Sequence, residues 1–410
     1  MSGETPTLPV SRWWLVVAAA GAIGLAGTYQ FVWSSIRVPL GAQVGASEAD
    51  LGTVFTLFVV FQTVSQFPAG WVRDRFGPRV PMIAGAALLA AGYFGTAVST
   101  SLPAVYLFYS LGGIGAGAAY TVAVNTPVKW FEERRGLATG VVTMSYSGAS
   151  FLLIPLVRRS GDVGVTLLGL GALAGSVALL SGFVLRDPET PGESGGGGDG
   201  AATDGNDDRK AASEDALDGA YTWREAVRTW QFWLLYAVFV VVNGVGLMVI
   251  GKVIAFAEAL ALPPAAATTT ASLVALADAA GVIVVSGLSD RLGRERSVAV
   301  SLSLCGVALA GGVLAGRAGL ASAFVALVAA AAFFRSPVFG VFPTIVGSYY
   351  GAARSSENYA ALYTAKLWGG VLGGAAASAL IVAIGWSPSF LLGAGLVTAA
   401  GVASFFLRPV

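Results

Sequence analysis

Twelve apolar runs of about twenty residues, separated by short polar segments, decide what this chain can become. At 1.5 Å per residue a helix of that length crosses the roughly 30 Å hydrocarbon layer, in which backbone groups must satisfy one another. The runs centre on 13–34, 51–71, 80–98, 104–125, 136–157 and 163–185, then on 231–254, 267–288, 297–315, 321–348, 358–384 and 388–407. Barrel strands alternate over about ten residues and do not stay apolar for twenty. The expected fold class is therefore all-α: a polytopic membrane protein with twelve transmembrane helices. Charged residues make up 11% of the 410, less than half of the roughly 25% usual in soluble domains, so a soluble enzyme is excluded. The chain has no histidine, which excludes histidine metal sites and histidine relays, and its one cysteine, Cys305, can form no intrachain disulfide. The first run, from Trp13 to Trp33, is a full span in length and ends in Tyr29, Gln30 and Trp33, so it reads as a retained helix rather than a cleaved signal.

The runs fall into two sets of six, 1–186 and 223–410, around a polar segment at 187–222. Asp187 to Ala220 carries ten acidic residues against Arg209 and Lys210 and has four consecutive glycines, Gly195 to Gly198. Such a stretch buries no core and reads as a disordered linker. Basic residues near span ends mark the cytoplasmic side of a membrane protein. With both termini inside, that side holds Arg12, Arg73, Arg75, Arg79, Lys129, Arg134, Arg135, Arg186, Arg209, Lys210, Arg224, Arg228, Arg291, Arg294, Arg296, Arg354 and Arg408, which is 17 of the 24 Lys and Arg. Arg37, Arg158, Arg159 and Arg317 fall outside, and Lys252, Arg335 and Lys366 fall within or beside the apolar runs. The expected location is the cytoplasmic membrane, multi-pass, with both termini cytoplasmic.

One loop occurs twice. After the second run the chain reads Gly70-Trp-Val-Arg-Asp74-Arg75-Phe-Gly77-Pro-Arg79, and after the eighth it reads Gly287-Leu-Ser-Asp290-Arg291-Leu-Gly293-Arg294. Glycine allows a tight turn or close helix approach, the aspartate can pair or cap, and the arginines anchor the loop at the membrane surface. Equivalent positions in the two sets imply duplication of a six-helix unit. These residues resemble the loop signature of the major facilitator superfamily. The resemblance spans essentially the whole chain and implies two pseudo-symmetric six-helix bundles around a central cavity that opens alternately to either side, with the loops as gating elements.

A charge within a span costs at least about 2.5 kcal/mol on insertion scales and so calls for a partner, a wet cavity or a function. Asp278 lies nine residues before Gly287, Lys366 about eight residues into the eleventh run, and Arg335 near the middle of the tenth, which puts all three near the bilayer midplane. Two readings are open: Asp278 neutralises one cation and ties the bundle together, or two cations against one carboxylate make a positive cavity for an anionic substrate. Lys252, near the outer end of the seventh run, is expected to snorkel to water. Polar aromatics of the first half, Tyr29, Trp33, Tyr120 and Tyr146, with Gln30, Gln62, Gln66 and Asn125, are the candidate opposite wall, although amphipathic rings also serve plain helix packing.

Tyr29 to Pro39, the fourth run through Tyr120 to Pro127, Phe232 to Ile250 and Ala361 to Gly370 around Lys366 are similar to the oxalate/formate antiporter and monocarboxylate carrier branch. That resemblance implies a carboxylate carrier in which Lys366 binds substrate. The branch also has an arginine on the eighth helix just after a glycine, where this chain reads Gly281-Val282; Arg335 on the tenth helix supplies a second cation instead. The expected function is secondary active transport of small organic carboxylate anions by exchange, proton symport or facilitated diffusion, with Asp278 as the proton-coupling or charge-pair residue. The expected partners are that anion and the lipid bilayer; no nucleic acid, cofactor or metal is expected, and the chain reads as a monomer without enzymatic activity. A drug or other-solute efflux carrier is the alternative within transport, and a non-transporting membrane sensor the alternative outside it.

Overall fold

The computed structural model describes residues 12–131, 135–187, 221–351 and 354–410. Among these are twelve helices long and apolar enough to cross a membrane, and no strand. Spans 1 to 6 are Trp13–Phe31, Glu48–Arg73, Arg79–Ala97, Leu102–Thr126, Ala138–Arg159 and Val163–Val184. Spans 7 to 12 are Trp230–Ala259, Pro264–Ser289, Arg294–Arg317, Ala321–Tyr350, Asn358–Ile384 and Trp386–Ser404. Each coincides within a few residues with an apolar run of the sequence.

Packing repeats with a period of six spans. In the first half span 4 packs on spans 2 and 3, span 6 on span 3, and span 1 on spans 5 and 6; in the second half the same pattern joins spans 10, 8, 9, 12, 7 and 11. The two halves meet along two seams, span 2 against span 11 and span 5 against span 8, which exchange under the same pseudo-twofold relation. Twelve crossings return the chain to the face it started from. That face is called here the terminal face and the opposite one the distal face. Residues 188–220, most of the expected linker, lie outside the described residues.

Local chemistry sets the helix ends. Ser47 caps span 2 in a reciprocal box with Asp50, and Thr222 and Glu225 form the same box ahead of span 7. Hydrogen bonds from the Thr222 backbone N–H and then its hydroxyl hold the Glu225 carboxyl below its ordinary pKa. The second glycine of each repeated loop, Gly77 and Gly293, has φ of 75° and 89°, a left-handed turn that ends spans 2 and 8 on the terminal face. The tenth span breaks after Arg335, where Pro337 interrupts the hydrogen-bond ladder between helices Ala321–Arg335 and Val338–Tyr350. Span 11 carries a π-helical turn at Leu372–Ala376, and the N–H of Ala375 is taken up across the seam by Thr56 Oγ1 at 2.8 Å.

One close approach fixes the first-half wall of the central region. A Cβ on Gly27 would lie 1.8 Å from the carbonyl oxygen of Tyr146, so only glycine lets spans 1 and 5 meet there. Gly27→Ala is expected to force these spans apart at a cost of about 1–3 kcal/mol, read as a lower apparent Tm of the detergent-solubilised protein. An unchanged Tm would show that the contact is not needed.

Candidate functional site

Between the two halves, side chains of both line a cavity of about 60 Å³. The first half contributes Gln30 from span 1, Tyr120 from span 4 and Tyr146 from span 5; the second contributes Asn243, Asp278, Arg335, Tyr363 and Lys366 from spans 7, 8, 10 and 11. The structure thus brings Lys366, Arg335, Asp278, Tyr120 and Tyr146 to one place. The three charged residues are buried, between 5% and 8% exposed.

The charges are unequally satisfied. Arg335 Nη2 donates to Asp278 Oδ1 in a salt bridge, and the guanidinium carbon lies 5.4 Å from the centre of the Phe339 ring. Gly246 makes room for this arginine, since a Cβ there would stand 2.5 Å from its Cδ. Lys366 is bound differently: its Nζ donates to Gln62 Oε1 at 3.3 Å and lies 5.6 Å from the Tyr363 ring centre. Among the described residues it makes no salt bridge. An ammonium has three donors, so Lys366 has donors to spare. Behind it runs a neutral chain across the first half: Gln62 Nε2 donates to the Tyr146 hydroxyl, which donates to Gln30 Oε1 at 3.0 Å. Tyr120 packs edge-on against Tyr146 with centroids 5.5 Å apart. Asp278 thus pairs with Arg335, and among the described residues Lys366 is left without a carboxylate partner.

Two expected site residues stand elsewhere. Tyr29 is wholly buried in an aromatic stack inside the first half, 3.8 Å from the Tyr93 ring centre and 5.7 Å from that of Phe58, with its hydroxyl donating to the Leu89 carbonyl at 2.6 Å. Trp33 lies against Tyr109 and Phe55, at 4.8 and 6.0 Å. Neither lines the cavity. Span 1 faces the cavity with Gln30 and Phe31 instead.

The repeated loops sit at the terminal ends of spans 2 and 8. Arg75 lies over the Trp71 ring at 4.4 Å, Arg79 over Phe183 at 4.8 Å, and Arg294 Nη1 donates to the Thr344 carbonyl at 3.2 Å, all within their own halves. The side chains of Asp74 and Asp290 lie outside the described residues. Gly70 and Gly287 are not close-packed, since a Cβ on Gly70 would meet nothing nearer than Thr121 Cγ2 at 3.6 Å and one on Gly287 nothing within 4 Å.

At the distal face the structure corrects one expectation and adds residues that the sequence did not single out. Lys252 does not snorkel to water. It is 2% exposed and donates across the seam between the halves to Glu48 Oε1 at 2.9 Å and, within its own half, to Ser378 Oγ at 2.5 Å. Arg37, expected in an outer loop, is fully buried in the helix Trp33–Val44 and pairs with the same carboxylate. A second cross-half pair, Arg158 to Glu258 at 3.1 Å, lies at the same end. Beside it an open cleft of about 500 Å³ runs between spans 5 and 8, lined by Arg158, Arg159 and Thr268 and by none of the central charges. The described ion pairs that join the halves thus both lie at the distal ends of the spans.

The family follows from comparison with known proteins. A sequence profile of the Major Facilitator Superfamily matches residues 16–251 and 240–410. The oxalate:formate antiporter of Oxalobacter formigenes is 30% identical over 395 residues, 95% of this chain and 90% of that one. The MFS-type transporter YhjX of Escherichia coli K12 is 27% identical over 339 residues, 81% and 79% of the two chains. Among solved structures, a bacterial homologue of the human lysosomal transporter Spinster, inward-facing and unoccupied, superposes with a TM-score of 0.72 at 17% identity, over 97% of this chain and 96% of that one. That likeness concerns the fold alone. With its profile match over both halves and its duplicated loop, the chain belongs to the Major Facilitator Superfamily, whose members are membrane transporters and not enzymes.

Proposed function

We propose that the protein carries small organic monocarboxylates across the cytoplasmic membrane by alternating access, as an exchanger, with its terminal face in the cytoplasm. The observation that carries this reading is Lys366: a buried cation on the cavity wall whose direct contacts, Gln62 and the Tyr363 ring, are neutral, with no salt bridge among the described residues. Arg335 and Lys366 against Asp278 leave one positive charge over, which one carboxylate group balances. The relative named for oxalate and formate supports the carboxylate class. The charge count here favours a monoanion over a dianion.

At about 60 Å³ the central cavity is far smaller than the roughly 300–1,000 Å³ of pockets for drug-sized ligands, which favours a small substrate over the efflux alternative. Exchange is favoured over symport because Asp278, the one carboxylate among the described residues that line the cavity, is engaged by Arg335. The basic residues of the terminal face support the orientation. The test is uptake of labelled formate, acetate and oxalate by liposomes containing the purified protein, with and without internal carboxylate. Formate or acetate uptake is expected to exceed oxalate uptake and to accelerate about tenfold or more with internal carboxylate. Uptake of none of the three would overturn the reading, and a proton-gradient requirement without acceleration by internal carboxylate would replace exchange by symport.

A further inference from the structure

At the distal gate a single carboxylate serves partners in both halves. Glu48 Oε2 accepts from Arg37 within the first half, while Oε1 accepts from Lys252 Nζ at 2.9 Å and from Ser378 Oγ at 3.1 Å in the second. Two cations against one carboxylate leave this cluster net positive, as in the central cavity. Its satisfaction is also incomplete. Arg37 is fully buried, yet its Nε and Nη1 have no hydrogen-bond partner among the described residues, and the buried hydroxyls of Ser34 and Ser35 one turn away have none either. Three of the five guanidinium N–H groups are thus unmatched, which a pair serving stability alone would not leave so.

Exposure is asymmetric across the cluster. The Glu48 side chain is 24% exposed and stands in the first turn of span 2, whereas Arg37 and Lys252 are 0% and 3% exposed. Glu48 can swing back to water; the cations cannot follow. The group already seated between them is a carboxylate, so an incoming carboxylate has the chemistry to take its place and to use the free edge of the Arg37 fork.

We propose that Arg37 and Lys252 form a second anion-binding site at the distal gate, which accepts a small carboxylate in exchange for Glu48, and that this exchange unties the halves and opens the distal face. The ligand class rests on the reading of the central cavity given above; the site itself rests on the distal residues alone.

Val59 supplies a reporter. It is fully buried on span 2 against Gly370 of span 11, where parting of the halves uncovers it. A Val59→Cys, Cys305→Ser chain in spheroplasts is treated with a membrane-impermeant maleimide, which reaches the distal face. Added formate is expected to raise the labelling rate about tenfold, chloride at equal strength much less. The formate response is expected to persist with Lys366→Ala, which removes the central cation that is left over by the Arg335–Asp278 pair. With Glu48→Gln or Lys252→Gln, labelling is expected to be fast and indifferent to formate; Glu48→Asp, which keeps the charge, is expected to keep the formate response. The proposal is overturned if Lys366→Ala abolishes the response, if chloride matches formate, or if both neutral gate variants label as slowly as the parent chain. Formate uptake measured on the parent chain separates the two ideas: uptake without a labelling response overturns the gate site, and a labelling response without uptake overturns the transport reading.

Discussion

Lys366→Ala is expected to reduce the initial rate of formate uptake into liposomes about 10- to 100-fold while leaving the protein folded. A hydrogen bond to a charged group is worth about 1.5–3 kcal/mol, and each 1.4 kcal/mol is tenfold, so loss of the cation that meets the carboxylate gives this range. Stability should move little or rise. Among the described residues Lys366 has one hydrogen bond, to Gln62, and a Tyr363 ring nearby, so its removal relieves a buried charge rather than orphaning one. Loss of uptake with an unchanged or higher apparent Tm is therefore the signature of a substrate-binding lysine; a structural lysine would lose both. Lys366→Arg keeps the charge but adds a planar group to a cavity of about 60 Å³, and is expected to transport at an intermediate rate. Wild-type uptake by Lys366→Ala would end the assignment.

How much of this was legible in the sequence follows from which forces leave a trace there. Span number and length are written in the apolar runs because bilayer thickness dictates them, and the duplicated loop shows the repeat. Depth is legible too: counting 1.5 Å per residue from the ends placed Asp278, Arg335 and Lys366 at one level, and they share one cavity wall. Rotation about the helix axis is not. A span surrounded by lipid on one side and packed side chains on the other is apolar all round and shows little amphipathic signal, so nothing in the run around Tyr29 said whether its ring faced the cavity or Tyr93 and Phe58. The distal cluster was missed for a related reason. Arg37 follows the end of an apolar run and looks like a loop anchor, but the chain stays helical from Trp33 to Val44 and carries the guanidinium inward to Glu48. Lys252 near a span end reads as snorkelling until the partner span, 204 residues away in sequence, is known.

The second large effect concerns the Arg335 to Asp278 pair and separates its charge from its contacts. Removing one member of a buried pair strands the other, at about 3–5 kcal/mol, so Arg335→Met and Asp278→Asn are each expected to lower the apparent Tm markedly. Their transport phenotypes should differ. Arg335→Met leaves Asp278 as the counter-charge of Lys366, the central charge falls to zero, and formate uptake is expected to drop about tenfold or more. Asp278→Asn frees Arg335, the central charge rises to two positive, and preference is expected to move toward oxalate by about tenfold. The double variant Asp278→Asn, Arg335→Met returns the count to one positive charge held by Lys366 alone. It is expected to recover most of the lost stability, because replacing both members of a buried pair is often neutral, and to recover formate uptake as well. Recovery of Tm without recovery of uptake would mean that the Arg335 guanidinium itself grips the substrate, and the charge count would give way to a two-cation clamp.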